Sequence, residues 1–390
     1  MSIRRRLGIV VTHPIQYQVP LYRHLAEATS IEPHVFYLTD HGVSASYDPG
    51  FAQRIHYDIS LLDGYEHEFV ANWSPWASPS TPWGACNPTL PRAIRHASLD
   101  ALLVHGWHNV STWLAYATAM AGRIPYLLRG EARPDPHDLP PVKGAFKHAL
   151  LRPLVRHAAA CLAIGSENRK FYTAYGAAPE RIFHAPYSVD TNRFETAGNI
   201  GRMQRAERLA ALGLNAAHPV VLFAAKLQPW KRPFDVVRAL DLLAPSVILI
   251  VIGDGPLRSE LEQAAAQRPW MRVLGFVNQT EIGEWYGVAD LFVLPSDHEP
   301  WGLAVNEAMA AGALPIVSDA VGCAPDLVTP EIGWVYETGN LDELACAIRA
   351  GTQCINAPER RAAARRRSHD WGIAATAAGI EQAVRAVVNQ

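Results

Sequence analysis

Short apolar runs that predict buried strands alternate with helix-forming runs along almost the whole chain. The first series begins with LGIVV, PLYRHLAEA and PHVFYL and continues through DALLVHG, TWLAYATAMAG and PYLLRG. A second series starts at PVVLFAAK and includes SVILIVIGDGP, LRSELEQAAA and ADLFVLP. Strands that alternate with helices in this way form parallel sheets covered by helices on both faces. The pattern therefore predicts an α/β chain with two doubly wound parallel sheets.

The length of the chain and a break in its pattern both predict two domains. Its 390 residues exceed the roughly 100–200 of an ordinary domain. Charged and small residues over 195–217 predict a linker, and the hinge is expected within 190–215. We therefore expect two Rossmann-like halves, over residues 1–192 and 193–372, that face each other across a cleft, with a terminal helix over 373–390. Ligands of such sheets bind outside the carboxyl ends of the strands.

Residues 291–318, LFVLPSDHEPWGLAVNEAMAAGALPIVS, predict a strand, a loop, a helix and a second strand. The helix is expected to begin just after Gly302, and Gly312 is placed to end it. The backbone N–H groups of Gly302, Leu303 and Ala304 would then point out of the helix N-terminus, where the helix dipole adds about half a positive charge. The segment therefore predicts an anion site that suits a diphosphate.

Two carboxylates flank this predicted turn. Glu307 lies one helical turn after Leu303 and could accept hydrogen bonds from vicinal sugar hydroxyls. A glutamate near the start of a helix often does no more than complement the dipole, so both interpretations of Glu307 stand at this point. Glu299 lies just before the helix, on the other side of the turn.

The stretch from Glu299 through PWGLAVN to Glu307, followed by AMAAG, resembles the E-x7-E signature of retaining glycosyltransferases with the GT-B fold, above all glycosyltransferase family 4. The resemblance implies an acceptor-binding domain over 1–192 and a nucleotide-sugar-binding domain over 193–372. It also implies that the terminal helix over 373–390 crosses back to the first domain. In this family pattern, Glu299 would position the transferred sugar.

Other residues that follow strands of the second series are candidates for donor binding. Gly253, in VIGDGP, fits a backbone that passes close to a ligand, although a simple turn would also place glycine there. The resemblance implies that the backbone around Val277 holds the nucleotide base and that Trp301 lies on the donor side; an ordinary strand exit is the alternative at Val277. Lys226 and Lys231, in KLQPWKRP, follow a strand and could reach a diphosphate as compact charges. A solvated loop is the alternative for both lysines.

Candidates for the acceptor side follow strands of the first series. His105 follows ALLV, and the resemblance implies a catalytic role for it, whereas a structural histidine is the alternative. Arg129 and Glu131, in LLRGEAR, could contact the transferred sugar or the acceptor, or could pair with each other. His13 and Gln16 lie in THPIQY after the first strand, where many relatives have a glycine-rich turn that this chain lacks.

Together these features predict a hexosyltransferase-like enzyme that moves a sugar from a nucleoside diphosphate sugar to a hydroxyl acceptor, which could be a sugar, a lipid-linked molecule or a small molecule. The resemblance implies retention of the anomeric configuration. No protein nucleophile is then needed, because the leaving diphosphate can accept the acceptor proton while Lys231 and the helix N–H groups stabilise its charge. No metal or further cofactor is expected, since no Asp-x-Asp pair lies beside the phosphate site.

Two other classes of protein with the same fold stay open. One is a nucleotide-sugar isomerase such as an epimerase, and the other is a non-catalytic nucleotide-sugar-binding protein. A nicotinamide oxidoreductase is disfavoured, because no GxGxxG follows the first strand.

The composition bears on partners and location. With 35 basic and 37 acidic residues, the chain has no overall field that would recruit nucleic acid. Basic residues cluster over Lys143–Arg156, which fits peripheral contact with anionic lipid or a solvated helix face. The five scattered cysteines form no CxxC pair, no apolar run reaches the length of a membrane span, and the N-terminus lacks a signal-peptide pattern. These features predict a cytoplasmic protein.

Overall fold

The computed structural model describes residues 4–48, 50–51, 53–79, 81–134, 141–243 and 247–388. The chain divides into two compact units. The first unit comprises Met1–Ser46, Ser60–Tyr187 and Ile373–Gln390, and the second comprises Tyr47–Ile59 and Ser188–Gly372. Both units are α/β and contain a parallel sheet, so the predicted fold class is confirmed.

The elements are numbered in chain order over the described residues. The strands are β1 (Arg5–Val11), β2 (Ile31–Tyr37), β3 (Ser46–Asp48), β4 (Gln53–Ile55), β5 (Glu66–Phe69), β6 (Ala101–His105), β7 (Tyr126–Arg129), β8 (Ala160–Ala163), β9 (Ile182–His184), β10 (Val220–Ala224), β11 (Ile248–Ile252), β12 (Met271–Gly275), β13 (Leu291–Leu294), β14 (Leu314–Ser318) and β15 (Trp334–Tyr336). The α-helices are α1 (Val19–Ala28), α2 (Leu90–His96), α3 (Val110–Gly122), α4 (Pro141–His157), α5 (Ser166–Ala174), α6 (Thr191–Met203), α7 (Arg205–Ala211), α8 (Pro233–Asp241), α9 (Arg258–Ala266), α10 (Ile282–Val288), α11 (Leu303–Ala311), α12 (Ala324–Leu327), α13 (Leu341–Gln353), α14 (Pro358–Asp370) and α15 (Ile373–Val388). Single 3-10 turns lie at Pro179–Arg181 and Pro229–Lys231.

The described residues of the first unit form a seven-stranded sheet in the order β5-β2-β1-β6-β7-β8-β9, with parallel pairing throughout. Side chains of β1 alternate between two buried clusters, since Ile9 and Val11 belong to one and Val10 to the other. Helix α15 packs against α1, β8 and β9. Its Thr376 hydroxyl donates to the Pro186 carbonyl oxygen at 2.7 Å. The terminal helix is therefore an integral layer of the first unit.

The described residues of the second unit form a six-stranded parallel sheet in the order β12-β11-β10-β13-β14-β15. Strands β10, β11, β13 and β14 are buried along their whole length, because helices cover both faces. This burial explains why their sequences are continuous apolar runs rather than alternating ones.

The prediction of a linker over 195–217 was wrong. Helices α6 and α7 occupy most of that stretch, and α6 packs against α10 and α11. The small residues that suggested flexibility form this packing surface: an added Cβ at Gly198 would lie 2.6 Å from Ala311 Cα, and one at Gly201 would lie 1.9 Å from the Glu284 carbonyl oxygen. Glycine therefore lets the helix backbones approach closely.

Residues 47–59, called the strap below, were expected in the first domain but group with the second unit. Strands β3 and β4 pair with each other in a separate two-stranded sheet. The strap is tied to the second unit by contacts with side chains far along the sequence, which local sequence patterns do not show. The structural division between Tyr187 and Ser188 lies close to the boundary expected between residues 192 and 193.

Candidate functional site

The second sheet reverses its strand order between β10 and β13, since β11 and β12 lie on one side of β10 while β14 and β15 lie beyond β13. Ligands of doubly wound sheets bind outside the carboxyl ends of the strands at such a reversal. The loops that follow β10 and β13 meet here, because the Asp297 backbone N–H donates to the Trp230 carbonyl oxygen at 2.9 Å. These loops contain Lys231 and Glu299, two of the residues predicted from the sequence.

Helix α11 begins at Leu303 and ends at Ala311, with Gly312 as its C-terminal cap, as expected. Gly302 precedes it with φ 102°, a left-handed conformation that favours glycine. An added Cβ at Gly302 would lie 3.0 Å from Val321 Cγ1, so the loop also leaves little space there. The capping residue is glycine, so it has no side chain that could accept a hydrogen bond from the first turn. The N–H groups at Leu303 and Ala304 thus form the positive end of a helix dipole without a side-chain cap.

Glu307 is a partly buried carboxylate on the first turns of α11. The Tyr286 hydroxyl donates to one of its oxygens at 2.8 Å, and no other described residue donates to the carboxylate. Burial raises the pKa of Glu307 to about 7, although the Tyr286 hydrogen bond and Arg193 oppose the rise. Glu307 is therefore not simply a solvent-exposed glutamate that complements the helix dipole. It retains an oxygen that can accept hydrogen bonds from a ligand.

Lys231 and Glu299 form an ion pair in which both side chains are largely buried. Lys231 ends the 3-10 turn after β10, and the next residue, Arg232, is left-handed with φ 51°. The Glu299 backbone is fixed by a bridge to Val321 and by the Gly322 N–H, which donates to its carbonyl oxygen at 2.9 Å. The fold thus brings together a cation and a carboxylate that are far apart in sequence.

The Trp301 side chain is 3% exposed. Its indole N–H donates to Asn306 Oδ1 at 3.0 Å, and its ring stacks on Trp371 with the centroids 5.4 Å apart. The Trp301 side chain is therefore buried beneath the loop, and its place on the donor side stays a prediction. The ring lies beneath the loop, between the start of α11 and the end of α14. Its apolar surface is removed from water there, which stabilises the loop.

The remaining candidates of the second unit lie where expected along the sheet edge. Lys226 follows β10, and its ammonium group contacts both carboxylate oxygens of Asp48 at 3.0 Å. Gly253 follows β11 with φ 138°, and an added Cβ would lie 1.9 Å from the Ala225 carbonyl oxygen. The fold alone therefore requires glycine at this position. Val277 follows β12 and is partly buried.

The first unit has its own reversal of strand order, between β1 and β6. A cavity of about 420 Å³ lies at this point. Its lining includes His105, Arg129 and Glu131, which the sequence predicted. His13 and Gln16 do not line it, whereas the next residues, Tyr17 and Gln18, do.

Arg129 is 3% exposed, and its guanidinium donates to the Pro186 carbonyl oxygen at 3.1 Å. Glu131 accepts a hydrogen bond from the Tyr187 hydroxyl, which also contacts the Tyr17 hydroxyl at 2.9 Å. Burial lowers the pKa of Arg129, and the nearby charge of Glu131 acts in the opposite direction. Tyr187 follows β9, so the rule that ligands meet the carboxyl ends of strands would have found it.

His105 is neutral in this cavity. Burial, with a smaller contribution from the Arg129 charge, lowers the pKa of His105 to about 3. Within the described residues, His105 Nε2, Arg129 Nε and Asn109 Nδ2 are buried polar atoms without a hydrogen-bond partner. All three residues line the same cavity. Buried polar atoms are rarely left unpaired, so this concentration indicates a binding site for a polar ligand.

Within the described residues, no group of three or more His, Cys, Asp or Glu side chains is arranged to hold a metal ion. No helix in the same part of the chain combines the length and apolar character needed to cross a membrane.

Comparison with known families agrees with this geometry. Residues 204–369 match the family model described as "Glycosyl transferases group 1". The second unit contains a group 1 glycosyltransferase domain. The matched range holds the loops after β10 and β13 together with helix α11, so it includes the carboxylates and lysines described above.

Curated relatives and solved structures add to this result. The chain is 34% identical over 215 residues to D-inositol 3-phosphate glycosyltransferase of Xylanimonas cellulosilytica, over 52% of this chain and 51% of that protein. It is 28% identical over 206 residues to the GDP-mannose-dependent monoacylated alpha-(1-6)-phosphatidylinositol monomannoside mannosyltransferase of Corynebacterium glutamicum, over 50% of this chain and 52% of that protein. The match thus spans about half the length of these curated relatives.

The fold extends further than this sequence similarity. HepE from Anabaena, solved in complex with UDP and glucose, is 18% identical, with a TM-score of 0.70 over 97% of this chain and 99% of that chain. The chain therefore has the GT-B fold of glycosyltransferases, as predicted.

Proposed function

We propose that the protein transfers a sugar from a nucleoside diphosphate sugar to a hydroxyl acceptor with retention of the anomeric configuration, as glycosyltransferase family 4 enzymes do. The observation that carries the proposal is the N-terminus of α11, with Glu307 on its first turns and the Lys231–Glu299 pair beside it. This arrangement lies at the reversal of strand order in a group 1 glycosyltransferase domain. It supplies groups for a diphosphate, for a ribose and for a sugar.

Each part of a nucleotide sugar has a counterpart among these residues. The N–H groups of Leu303 and Ala304 and the ammonium groups of Lys226 and Lys231 would bind the diphosphate. The free oxygen of Glu307 would accept hydrogen bonds from the ribose hydroxyls. Glu299, once Lys231 turns to the diphosphate, would accept hydrogen bonds from the sugar. The backbone around Val277 would hold the base.

The reaction needs no protein nucleophile. The bond between the anomeric carbon and the diphosphate oxygen breaks, and the acceptor oxygen bonds to the anomeric carbon on the same face. The acceptor proton moves to the leaving diphosphate, whose growing negative charge is stabilised by Lys231 and the helix N–H groups. No metal ion is required in this scheme, since these groups supply the positive charge.

The cavity of the first unit is the proposed acceptor site. Its polar lining suits a molecule rich in hydroxyl groups, and the names of the relatives, which include an inositol phosphate and a phosphatidylinositol mannoside, support such an acceptor. Neutral His105 would accept a hydrogen bond from an acceptor hydroxyl. At a pKa of about 3 it is too weak a base to remove the proton fully near neutral pH. Its role is therefore to orient the hydroxyl.

Helix α4 supports peripheral contact with a membrane. Phe146 is 69% exposed and Leu150 is 46% exposed on this helix, which also carries Lys143 and Lys147. Exposed apolar side chains beside lysines suit the surface of an anionic bilayer. A lipid-linked acceptor would reach the enzyme there. The cytoplasmic location stays a prediction.

A thermal stability screen tests the proposal. The melting temperature is measured with a panel of nucleotide sugars and with the matching nucleoside diphosphates. A ligand at about one hundred times its dissociation constant adds about 2.7 kcal/mol to the free energy of unfolding. We expect clear stabilisation by one nucleotide sugar and its diphosphate in the wild type, and a much smaller effect in Lys231→Ala. Absence of stabilisation by every nucleotide would contradict the proposed donor site.

A further inference from the structure

The strap lies against the same sheet edge as the proposed donor site. The Gln228 side-chain amide donates to the Gly50 carbonyl oxygen at 2.8 Å, and the Asn278 amide donates to the His56 carbonyl oxygen at 2.8 Å. Gln228 follows β10 and Asn278 follows β12, both beyond the carboxyl ends of their strands. The strap therefore covers the side of the edge where the base and the diphosphate are expected.

Lys226 makes an electrostatic contact between the strap and this edge. Both carboxylate oxygens of Asp48 lie 3.0 Å from Lys226 Nζ. The same ammonium group lies 4.8 Å from the centre of the Phe51 ring, and that ring packs edge-on against Phe276 with the centroids 5.1 Å apart. An added Cβ at Gly50 would lie 2.6 Å from the ammonium nitrogen, so the strap backbone also closes on it. Lys226 thus contacts one acid, one ring and one glycine of the strap.

We propose that Asp48 belongs to the donor site, as an internal anion that occupies Lys226 and that the diphosphate of the donor must displace. This inference rests on the proposed function, because it assigns Lys226 to the diphosphate. A diphosphate beside an intact Asp48–Lys226 pair would meet a carboxylate of its own sign. The donor and the strap therefore compete for one ammonium group, and Asp48 lowers the affinity of the site for its donor.

The size of the effect follows from the exposure of the pair. The Lys226 side chain is 40% exposed, and exposed ion pairs contribute about 0.2–1 kcal/mol. Removing the charge of Asp48 should therefore tighten diphosphate binding by about 1.4- to fivefold. The gain should shrink at high salt, since screening weakens both the ion pair and the repulsion.

The test measures binding of inorganic pyrophosphate, and separately of UDP, ADP and GDP, by titration calorimetry at low and high salt. The proteins are the wild type, Asp48→Asn and Asp58→Asn. Asp58 is the matched control: it lies on the same strap and accepts a hydrogen bond from the Thr280 N–H at 3.2 Å. Both substitutions change the net charge equally. We expect Asp48→Asn to bind about 1.4- to fivefold tighter, and Asp58→Asn to bind as the wild type does.

The same substitution made in Lys226→Met tests whether Lys226 mediates the gain in diphosphate affinity. In Lys226→Met, the further change Asp48→Asn should give a smaller gain in affinity than it gives in the wild type, because the diphosphate then has no ion pair to break. Equal or weaker binding by Asp48→Asn, in a wild type that binds the probes, overturns the role of Asp48 and leaves the proposed function standing. The same gain in Asp58→Asn also overturns it. If no probe binds any of these proteins, the donor site itself is wrong and this inference fails with it.

Discussion

Replacing Glu307 by glutamine should stabilise the protein at alkaline pH while it weakens nucleotide binding. Burial raises the pKa of Glu307 from its ordinary value of 4.5 to about 7. The folded state therefore binds this proton more tightly than the unfolded state does. Below about pH 4.5 both states hold the proton and no stability is lost. As the pH rises towards 7, the unfolded state loses this proton while the folded state keeps it, so the free energy of unfolding falls. Above about pH 7 both states are ionised and it falls no further.

The magnitude follows from the same values. Each pKa unit corresponds to about 1.4 kcal/mol, so the full loss is at most about 3.5 kcal/mol, and partial exposure of Glu307 reduces it to about 2–3 kcal/mol. Glutamine carries no charge and can still accept the hydrogen bond of Tyr286. Glu307→Gln should therefore raise the free energy of unfolding by about 2–3 kcal/mol at pH 8 and by almost nothing at pH 4.

The nucleotide affinity of Glu307→Gln should fall, although its free energy of unfolding rises. A hydrogen bond to a charged group contributes about 1.5–3 kcal/mol, so loss of the carboxylate should weaken nucleotide binding by about 10- to 100-fold. Urea unfolding at pH 4 and pH 8 gives the stability, and titration calorimetry with the best nucleotide gives the affinity. Glu260→Gln, at an exposed position on α9, is the control with the same change of charge. Unchanged affinity in Glu307→Gln, or equal stability at both pH values, would refute this reasoning.

Three further results are expected. Lys231→Ala should lower turnover by on the order of 10²–10³-fold while EDTA leaves the wild-type rate unchanged, and activity that requires added Mg²⁺ would contradict this. Gly201→Ala should cost about 1–3 kcal/mol in urea unfolding, because the added Cβ would lie 1.9 Å from the Glu284 carbonyl oxygen, whereas Gly122→Ala, with its nearest atom at 3.6 Å, should change little. Removal of residues 373–390 should lower the melting temperature of the first unit, since α15 is one of its layers; an unchanged melting curve would show that the helix is dispensable.

The helix that carries the proposed donor site was predictable because its signals are local. Glycines at both ends of α11 and the spacing of Glu299 and Glu307 are contiguous in the sequence, and the structure places the helix accordingly. The parallel sheets were also predictable, because buried strands leave continuous apolar runs. The roles of individual residues in binding and catalysis stay predictions.

Other features depend on partners that are distant in sequence. The strap joins the second unit through Lys226 and Asn278, and nothing near residues 47–59 in the sequence reveals those contacts. Trp301 is buried because Trp371 covers it. Small residues in α6 suggested a linker because flexible chains and close helix packing both favour glycine.

The residues that line the cavity of the first unit could not all be predicted from the sequence, for a different reason. Beyond β1 the chain leaves the extended conformation, so the alternation of side chains no longer sets their direction. The sequence pointed to His13 and Gln16, but Tyr17 and Gln18 line the cavity instead.

Analysis of reaction products tests the central claim most directly. The protein is incubated with the nucleotide sugar that stabilises it most, with and without a mixture of hydroxyl acceptors, and the products are followed by proton NMR. We predict release of nucleoside diphosphate only when an acceptor is present, and a new glycoside with the anomeric configuration of the donor. An epimerised nucleotide sugar formed without acceptor, or a glycoside of inverted configuration, would contradict the account.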